Sequence, residues 1–448
     1  MRYRTGPVAR TATIAILLAA VPGMAAAQDA GHARALTQAY NASGLALFRQ
    51  FAAEPGNLVF SPYSVGTAMA MVLAGARGET EREMASVLRH GLARVQIDQA
   101  NASVLATFNH YDRSKLTPGC PQGLTFQGER CQAPPKRDGG CVFPARRDGA
   151  LCIAPPRYPP SARLLAANAL MLARAGVAKD YEALLRDNYA AEVFRGASLD
   201  TVNGWVRQRT EGKIERILER LSDLTLVNAV YFKARWSVTF DKKLTKGEFF
   251  NLTRSRQEMV PTMLQRANHA VVTRDGYRAI RLPYAVRSLA LVIALPDDVE
   301  GVGALVDRID GAELAAMLAA LRVQPLRPVV LTLPRFRSEY TANLKERFRQ
   351  AGMTLPFDAR KADFSGMTGV PPAAAPTAID QIVHRAVIEV GEESTEAAAV
   401  TAVGMMVASA PAKPVQEIPF RVDRPFLYYL VDDLTGAVLF QGRVVDPR

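Results

Sequence analysis

The sequence lacks the short motifs that mark the common enzyme classes. Its 448 residues contain no H-E-x-x-H, no G-x-S-x-G and no G-x-G-x-x-G pattern, and only five histidines. These absences argue against a zinc protease, an α/β-hydrolase and a dinucleotide-binding enzyme. We therefore expect a protein that is not an enzyme and has neither a cofactor nor a metal ion. An exported enzyme or binding protein remains the lesser alternative.

Long apolar runs are also absent. The apolar run near the N-terminus is too short and too rich in alanine for a transmembrane helix, and no later segment reaches the roughly eighteen apolar residues that such a helix requires. Residues 1–27 instead combine three arginines, a short apolar stretch and the small residues Ala25, Ala26 and Ala27, a pattern typical of a secretory signal peptide. We expect a soluble, exported protein, extracellular or periplasmic, from a bacterium.

Acidic residues are fewer than basic ones. The 55 Lys and Arg residues exceed the 43 Asp and Glu residues, and the formal net charge is +12. A polyanionic partner is one interpretation of this excess, and a diffuse basic surface is the one that we favour. We expect no nucleic-acid and no membrane partner, and a monomer.

Cysteine is scarce and confined to one segment. Cys120, Cys131, Cys141 and Cys152 lie within 115–160, which also holds nine prolines. The segment has no C-x-x-C pair and no flanking histidine, so the sequence does not indicate a zinc site. We therefore expect two disulfides, and the sequence leaves all three possible pairings of the four cysteines open. So much proline is incompatible with an interior helix or sheet, which predicts a surface insertion.

The insertion is rich in basic residues: Lys136, Arg137, Arg146, Arg147 and Arg157. One hypothesis is that these residues bind a polyanion weakly. The alternative that we favour is a solvated surface segment with a protective role. We identify no internal repeat and no linker, so 28–448 is expected to form a single domain.

Local patterns predict several elements elsewhere. An amphipathic helix is expected over His32–Phe51, and Ser61 followed by Pro62 is typical of a helix start. Thr80 and Glu83 have the spacing of a capping box. The apolar run Thr225–Trp236 predicts a central strand covered on both faces, and a hairpin is expected over Phe426–Val445.

The most informative stretch is Glu392–Ser409, which reads E-E-S-T-E-A-A-A-V-T-A-V-G-M-M-V-A-S. At a period of two residues, one face carries Thr395, Ala397, Ala399, Thr401 and Val403, all uncharged and not bulky. Such a face suits a strand that must slide between two strands already in place. An Ala-rich surface loop is the alternative interpretation.

The flanking residues carry a resemblance to a known family. His384–Val390 precedes this stretch, F-R-V-D-R-P-F follows it, and N-x-x-F-S-P-x-S occurs at 57–64. Together these motifs resemble the serpins, protease inhibitors that trap their target by inserting a loop into their own sheet. The resemblance implies an α+β serpin fold with a large mixed sheet, additional sheets, about eight or nine helices and an exposed reactive-centre loop, here 392–419.

The resemblance also implies roles for individual residues. The hinge of the loop would consist of Glu392, Ser394, Thr395, Ala397, Ala398, Ala399 and Thr401, and it departs from the family at Ser394, where Gly is usual. A hydrogen-bonded cluster of Ser61, Ser64, Asn228 and His384 would lie beneath the main sheet and hold it closed.

The bond that a protease would cut follows from the family's spacing. In inhibitory serpins it follows the residue sixteen positions after the glutamate that aligns with Glu392, which gives Ala408–Ser409, with Met406 and Val407 as alternatives. A small residue before the bond suits elastase-like or subtilisin-like serine endopeptidases, which would be trapped in a covalent 1:1 complex. The alternative within the family is a non-inhibitory serpin, cleaved as a substrate or acting as a carrier.

Overall fold

The computed structural model describes residues 22–127, 130–142, 144–154, 156, 159–173, 176–392 and 416–448. Two large β-sheets and their surrounding helices form the body, and a third, small sheet is formed within the insertion. This arrangement confirms the predicted α+β class. The described residues contain ten α-helices, where eight or nine were expected.

Helices and strands are interspersed along the described residues. The helices are α1 (Pro22–Phe51), α2 (Pro62–Gly75), α3 (Gly78–Val87), α4 (Arg94–Tyr111), α5 (Lys179–Tyr189), α6 (Leu199–Arg209), α7 (Val302–Arg308), α8 (Gly311–Val323), α9 (Lys345–Gln350) and α10 (Ser365–Thr368). The strands are β1 (Leu58–Phe60), β2 (Thr125–Gln127), β3 (Arg130–Ala133), β4 (Arg146–Asp148), β5 (Leu151–Ala154), β6 (Ala162–Leu172), β7 (Glu192–Arg195), β8 (Leu224–Ala234), β9 (Lys246–Asn251), β10 (Gln257–Arg274), β11 (Tyr277–Pro283), β12 (Leu289–Pro296), β13 (Arg327–Pro334), β14 (Phe336–Asn343), β15 (Gln381–Val390), β16 (Ile418–Arg421), β17 (Phe426–Asp432) and β18 (Val438–Val444).

The five-stranded sheet has the order β14-β15-β8-β6-β7. Its central strand β8 is buried at all but one position, as the apolar run Thr225–Trp236 predicts. One face of the sheet packs on the large core that includes α2, and the other packs on α6 through Val202 and Val206. Strand β8 is antiparallel to β6 but parallel to β15. The sheet is therefore mixed, with one parallel pair at its centre and a second one, β6 with β7, at its edge.

The nine-stranded sheet has the order β1-β18-β17-β12-β11-β10-β13-β16, and β9 pairs with β10 off this path. Strands β12 and β17 are buried at every position, and β17 pairs with β18 in the predicted hairpin. The long strand β10 pairs with β13 through one part of its length and with β11 through another. One strand thus connects the two ends of this sheet.

Helix α2 begins as predicted. Ser61 has an extended backbone, and its side-chain oxygen accepts a hydrogen bond from the backbone N–H of Ser64, while Pro62 occupies the first turn. Helix α1 begins earlier than the predicted His32, because the Ala-rich residues before it have high helix propensity. It therefore includes the last residues of the predicted signal segment 1–27, of which 1–21 lie outside the described residues.

The predicted capping box at Thr80 and Glu83 is wrong. Helix α3 already begins at Gly78 after Arg77, which makes no side-chain cap. Thr80 instead accepts a hydrogen bond from the backbone N–H of Asp363, and Glu83 accepts those of Thr354 and Leu355. Both side chains therefore accept hydrogen bonds from the backbone of a segment far along the chain. Local sequence spacing does not reveal such tertiary contacts.

The insertion forms a sheet of its own with the order β2-β3-β5-β4. Two disulfides close it, Cys120–Cys131 and Cys141–Cys152, which selects one of the three open pairings. Its prolines lie outside the four strands, as the inability of proline to donate a backbone hydrogen bond requires. Within the described residues, no helix is long and apolar enough to span a bilayer.

Candidate functional site

The boundary between β8 and β15, here called the seam, is the candidate site. The two strands pair in parallel from Gln381 opposite Thr225 to Val387 opposite Tyr231. Both strands continue beyond this pairing, to Val390 and Ala234, at what we call the upper end of the seam. A segment that follows β15 and reverses direction would run antiparallel to both strands. The seam can therefore accept one additional strand without a change of topology.

A polar cluster lies at the middle of the seam. His384 and Asn228 are register partners, and the His384 Nδ1–H donates to Asn228 Oδ1 at 2.5 Å. The Asn228 amide donates to Ser64 Oγ at 2.7 Å, and Ser61 contributes its backbone N–H to His384 Nε2 at 3.4 Å. All four residues of the predicted cluster are thus brought together. Their role in holding the sheet closed stays a prediction.

The hydrogen-bond partners define the protonation state of His384. Because Asn228 presents its oxygen to Nδ1 and Ser61 presents an N–H to Nε2, the ring is neutral with its proton on Nδ1. A second proton would place two donors face to face. The side chain is completely buried, and burial lowers the pKa of His384 to about 3. The cluster is therefore uncharged at neutral pH.

Asn168 is a fifth member that the motif-based prediction missed. It lies on β6 as the register partner of Asn228, and its Oδ1 accepts a hydrogen bond from the Asn228 amide at 2.6 Å. The sequence contains a signal for it, since Asn168 interrupts the apolar run from Leu164 to Leu172, as Asn228 interrupts the run from Leu226 to Phe232. We call Ser61, Ser64, Asn168, Asn228 and His384 the seam cluster.

A second group of contacts anchors the chain where it leaves β15. The indole N–H of Trp236 donates to the carbonyl of Gly391 at 2.8 Å, and the backbone N–H of Phe240 donates to the carbonyl of Glu392 at 2.8 Å. Trp236 is itself held by stacking on Tyr284, with ring centres 4.4 Å apart. These contacts fix the position of Gly391 and of Glu392, the first residue of the predicted hinge.

The Glu392 side chain belongs to this anchor. It is 5% exposed, forms an ion pair with Arg335, and accepts a hydrogen bond from Thr245 Oγ1 at 2.6 Å. Burial acts to raise the pKa of Glu392, but the hydrogen bonds from Arg335 and Thr245 outweigh it and hold the pKa below the usual range. A buried carboxylate is thus kept charged at the start of the predicted loop. Sequence spacing identified Glu392 but none of its partners.

The remaining predicted site residues lie in 393–415, outside the described residues. They are the hinge residues Ser394, Thr395, Ala397, Ala398, Ala399 and Thr401 and the candidate bond residues Met406, Val407, Ala408 and Ser409. The chain is described again from 416, and β16 begins at Ile418, inside the last residues of the predicted loop 392–419. The assignments of the hinge and the bond stay predictions.

Comparison with known families identifies the chain. The family model for serpins, described as serine protease inhibitors, matches residues 38–124 and 156–447. The chain belongs to the serpin family. The residues between the two matched segments lie within the predicted insertion. Serpins are generally protease inhibitors rather than catalysts.

Curated relatives extend over nearly the whole serpin chain. Iripin-2 of Ixodes ricinus is 31% identical over 425 residues, which cover 91% of this chain and 93% of the relative. The leukocyte elastase inhibitor of Bos taurus is 30% identical, with 88% and 93% covered. An uncharacterized serpin-like protein of Thermococcus kodakarensis is 28% identical, with 93% and 87% covered.

Solved structures confirm the serpin fold. Human thyroxine-binding globulin is similar with a TM-score of 0.72 at 21% identity, covering 93% of this chain and 99% of its own. The thermophilic serpin Tengpin in its native state has a TM-score of 0.71 at 22% identity, with 92% and 94% covered. Uncleaved ovalbumin has a TM-score of 0.71 at 22% identity, with 92% and 100% covered.

Proposed function

We propose that this serpin is a suicide inhibitor of serine endopeptidases. The single observation that carries the proposal is the seam, in which two parallel strands are paired directly with each other while their upper ends continue beyond the pairing. The chain that leaves β15 at Gly391 carries the small, uncharged face predicted for an inserting strand. When a strand enters the seam, the parallel pairing between β8 and β15 is lost. The new strand then forms one antiparallel pairing with β8 and another with β15.

The energy of such an exchange is large. An inserted strand as long as the eleven residues of β8 would gain about one ladder hydrogen bond per residue. At about 1 kcal/mol net for each bond, the gain is on the order of 10 kcal/mol. This is as large as the stability of a typical domain, so insertion would be effectively irreversible.

The chemistry is that of an interrupted peptide hydrolysis. The serine hydroxyl of the protease attacks the carbonyl of Ala408, the peptide bond to Ser409 breaks, and the protonated amine of Ser409 leaves. An ester now joins Ala408 to the protease. Insertion of the freed loop displaces the protease along the seam, and distortion of its active site prevents water from hydrolysing the ester. The product is a covalent 1:1 complex.

The proposed targets are elastase-like or subtilisin-like enzymes, because Ala408 is small and no Lys or Arg lies between Glu392 and Pro411. The test mixes the serpin with an elastase and analyses denaturing gels by mass spectrometry. We expect a stable band at the summed mass and a released peptide that begins at Ser409. Cleavage at this bond without any stable complex would contradict the inhibitory mechanism.

A non-inhibitory serpin is the second candidate, and Ser394 favours it. A serine at this hinge position has less backbone freedom than the glycine usual in the family. The discriminating measurement is thermal stability before and after cleavage of the loop. A large rise in the unfolding temperature indicates an insertable loop, whereas no rise indicates a substrate or a carrier.

Export is a further part of the proposal. Its support is the predicted signal segment 1–27 together with two disulfides, which form in oxidising compartments. The relatives reported above come from eukaryotes and an archaeon, so the bacterial source rests on the sequence prediction alone. N-terminal sequencing of secreted material would test it, with Gln28 as the expected first residue.

A further inference from the structure

The insertion is a tandem duplication, contrary to our expectation that the chain has no internal repeat. Segments 115–135 and 136–156 align at a constant offset of 21 residues. The positions that carry identical residues in both copies are Lys115 and Lys136, Gly119 and Gly140, Cys120 and Cys141, Gly128 and Gly149, Cys131 and Cys152, Ala133 and Ala154, Pro134 and Pro155, and Pro135 and Pro156. Few positions match, but they include both cysteines and the A-P-P that ends each copy.

The structure repeats at the same offset. Strands β2 and β3 of the first copy correspond residue for residue to β4 and β5 of the second. The two disulfides are equivalent, and each second cysteine lies against the carbonyl of the glycine that precedes the first cysteine. Each copy is thus a disulfide-closed β-hairpin.

The two hairpins pair about a pseudo-two-fold axis. Strands β3 and β5 are antiparallel, with Gln132 opposite Ile153 at the centre, and these two residues occupy equivalent positions in the two copies. Cys131, Cys152 and Ala154 are buried, and they belong to neither of the two hydrophobic cores of the body. We call this unit, residues 115–156, the hairpin module. It has its own covalent closures.

The base of the module lies at the upper end of the main sheet. The chain returns from it into β6, whose first residue Ala162 pairs with Ala234, the last residue of β8. Its outgoing and returning chains are joined there, because the backbone N–H of Arg113 donates to Ser161 Oγ at 2.9 Å. Strand β6 is two strands away from β15, or about 10 Å. The module therefore emerges beside the chain that leads into the reactive loop.

The module carries exposed positive charge mainly in its second copy. Lys136, Arg137 and Arg146 are exposed, and no carboxylate in the described part of the chain forms an ion pair with them. The nearby acidic side chains are engaged elsewhere: Asp138 accepts the backbone N–H of Gly140, and Asp148 pairs with Arg130. The equivalents of Arg137 and Arg146 in the first copy are Leu116 and Thr125. The hairpin therefore folds without these two arginines.

We propose that the hairpin module is a second contact surface for the target protease, and that it recognises an acidic surface beside the protease's active site. The proposal rests on the proposed inhibitory function, because the protease must dock on the reactive loop at this end of the sheet. Long-range attraction between opposite charges raises the rate of encounter, most strongly at low salt. The module would accelerate capture without taking part in the trapping step.

The first experiment measures the rate constant for formation of the stable complex with an elastase and with a subtilisin at low and high salt. One variant replaces 115–160 by a short Gly-Ser linker, and the other is Arg137→Gln/Arg146→Gln. We expect falls of about tenfold and about threefold at low salt with at least one protease. The stoichiometry of inhibition should stay unchanged.

The matched control is Arg349→Gln/Arg360→Gln, which removes the same charge near α9, at the opposite end of the sheet. Its rate constant should equal that of the unaltered serpin. Equal rate constants for all four proteins with both proteases would overturn the proposal. The proposal would also be overturned if the serpin bound heparin in a salt-dependent way while the module variants kept the rate constants of the unaltered serpin. The basic residues of the module would then bind a polyanion rather than the protease.

The second experiment does not depend on the trapping mechanism. An elastase whose catalytic serine is replaced by alanine can dock but cannot be acylated. Hydrogen exchange of the intact serpin in this non-covalent complex should show protection of 136–148 together with the reactive loop. Protection of the loop without the module would contradict the contact surface. If active elastase forms no covalent complex but the module and the reactive loop are both protected, only the inhibitory mechanism is contradicted.

Discussion

The β8–β15 seam and the β12–β17 boundary are both buried on both faces, yet they are built differently. The β12–β17 boundary is antiparallel, and it places Val292 opposite Tyr429 and Leu291 opposite Leu430. The seam is parallel and places His384 opposite Asn228. Apolar side chains keep their contacts only while the boundary stays closed. A polar pair in the seam loses specific hydrogen bonds when the strands part, but its groups can make new bonds to an entering strand.

This difference supports the proposal that the five-stranded sheet opens at the seam while the nine-stranded sheet stays closed. In the seam, hydrogen bonds connect β8 and β15 to α2 through Ser61 and Ser64, so the cluster holds a defined geometry. The β12–β17 boundary relies on continuous apolar burial, which has no comparable second arrangement.

The largest effect is expected from Thr395→Arg. A charged, long side chain on the predicted inward face would have to enter the buried seam, so insertion should fail and nearly all molecules should be cleaved as substrate. Denaturing gels after reaction with elastase measure the ratio of complex to cleaved serpin. Glu396→Arg, on the predicted outward face, is the control and should retain complex formation. Equal complex formation by both variants would refute the assignment of the two faces.

His384→Ala should open the seam. It removes a buried side chain and leaves Asn228 Oδ1 without its donor, at a cost of about 3 kcal/mol. We expect faster spontaneous loop insertion or polymerisation, followed by native gels at a mildly raised temperature. The control Val292→Ala at the β12–β17 boundary should cost about 2 kcal/mol without that acceleration. If both variants polymerise at the same rate, the seam has no special role.

Glu392→Gln should weaken the anchor at the upper end of the seam. The neutral amide loses the ion pair with Arg335, at a cost of about 1–2 kcal/mol, so the loop should insert faster on cleavage or on mild heating. The rate of loop insertion can be measured by stopped-flow fluorescence of Trp236, whose indole N–H donates a hydrogen bond to the carbonyl of Gly391. Glu258→Gln, at a side chain that is 30% exposed, should have little effect.

Acid should weaken the seam by the smallest amount. The folded-state pKa of His384 is lowered to about 3, below the usual 6.5 of the unfolded chain, so the unfolded state binds protons first as the pH falls. Stability is therefore complete above pH 6.5 and decreases toward pH 3. Between pH 6.5 and 5.5 this histidine should account for a loss of about 1 kcal/mol.

Thermal unfolding at pH 7.5 and 5.5 measures this loss. Burial also lowers the pKa values of His90 and His269 to about 4, so they add to the total. His384→Gln isolates the part that belongs to the seam, because it removes that titrating group alone. A pH dependence identical in the variant and the unaltered protein would contradict the assignment.

Sequence patterns predicted many elements of this fold because local chemistry dictates them. Ser61 and Pro62 begin α2, the apolar run around Asn228 forms the central strand, and β17 and β18 form the expected hairpin. The structure also brings together the four residues that the serpin resemblance placed in one cluster, whose role stays a prediction. Local spacing failed at Thr80 and Glu83, whose partners lie in a segment far along the chain.

The strand and helix periodicities, the two-disulfide content of the insertion and the serpin resemblance could be predicted from the sequence, because they depend on neighbouring residues and residue spacing. The strands that meet in parallel at the seam and the partners that keep Glu392 charged became clear from the tertiary structure alone, because they depend on contacts between residues distant in the chain. The cysteine pairing also required the structure, because the cysteine spacing allows all three pairings. The repeat within the insertion is present in the sequence, whereas its position at the upper end of the sheet depends on the pairing of β6 with β8.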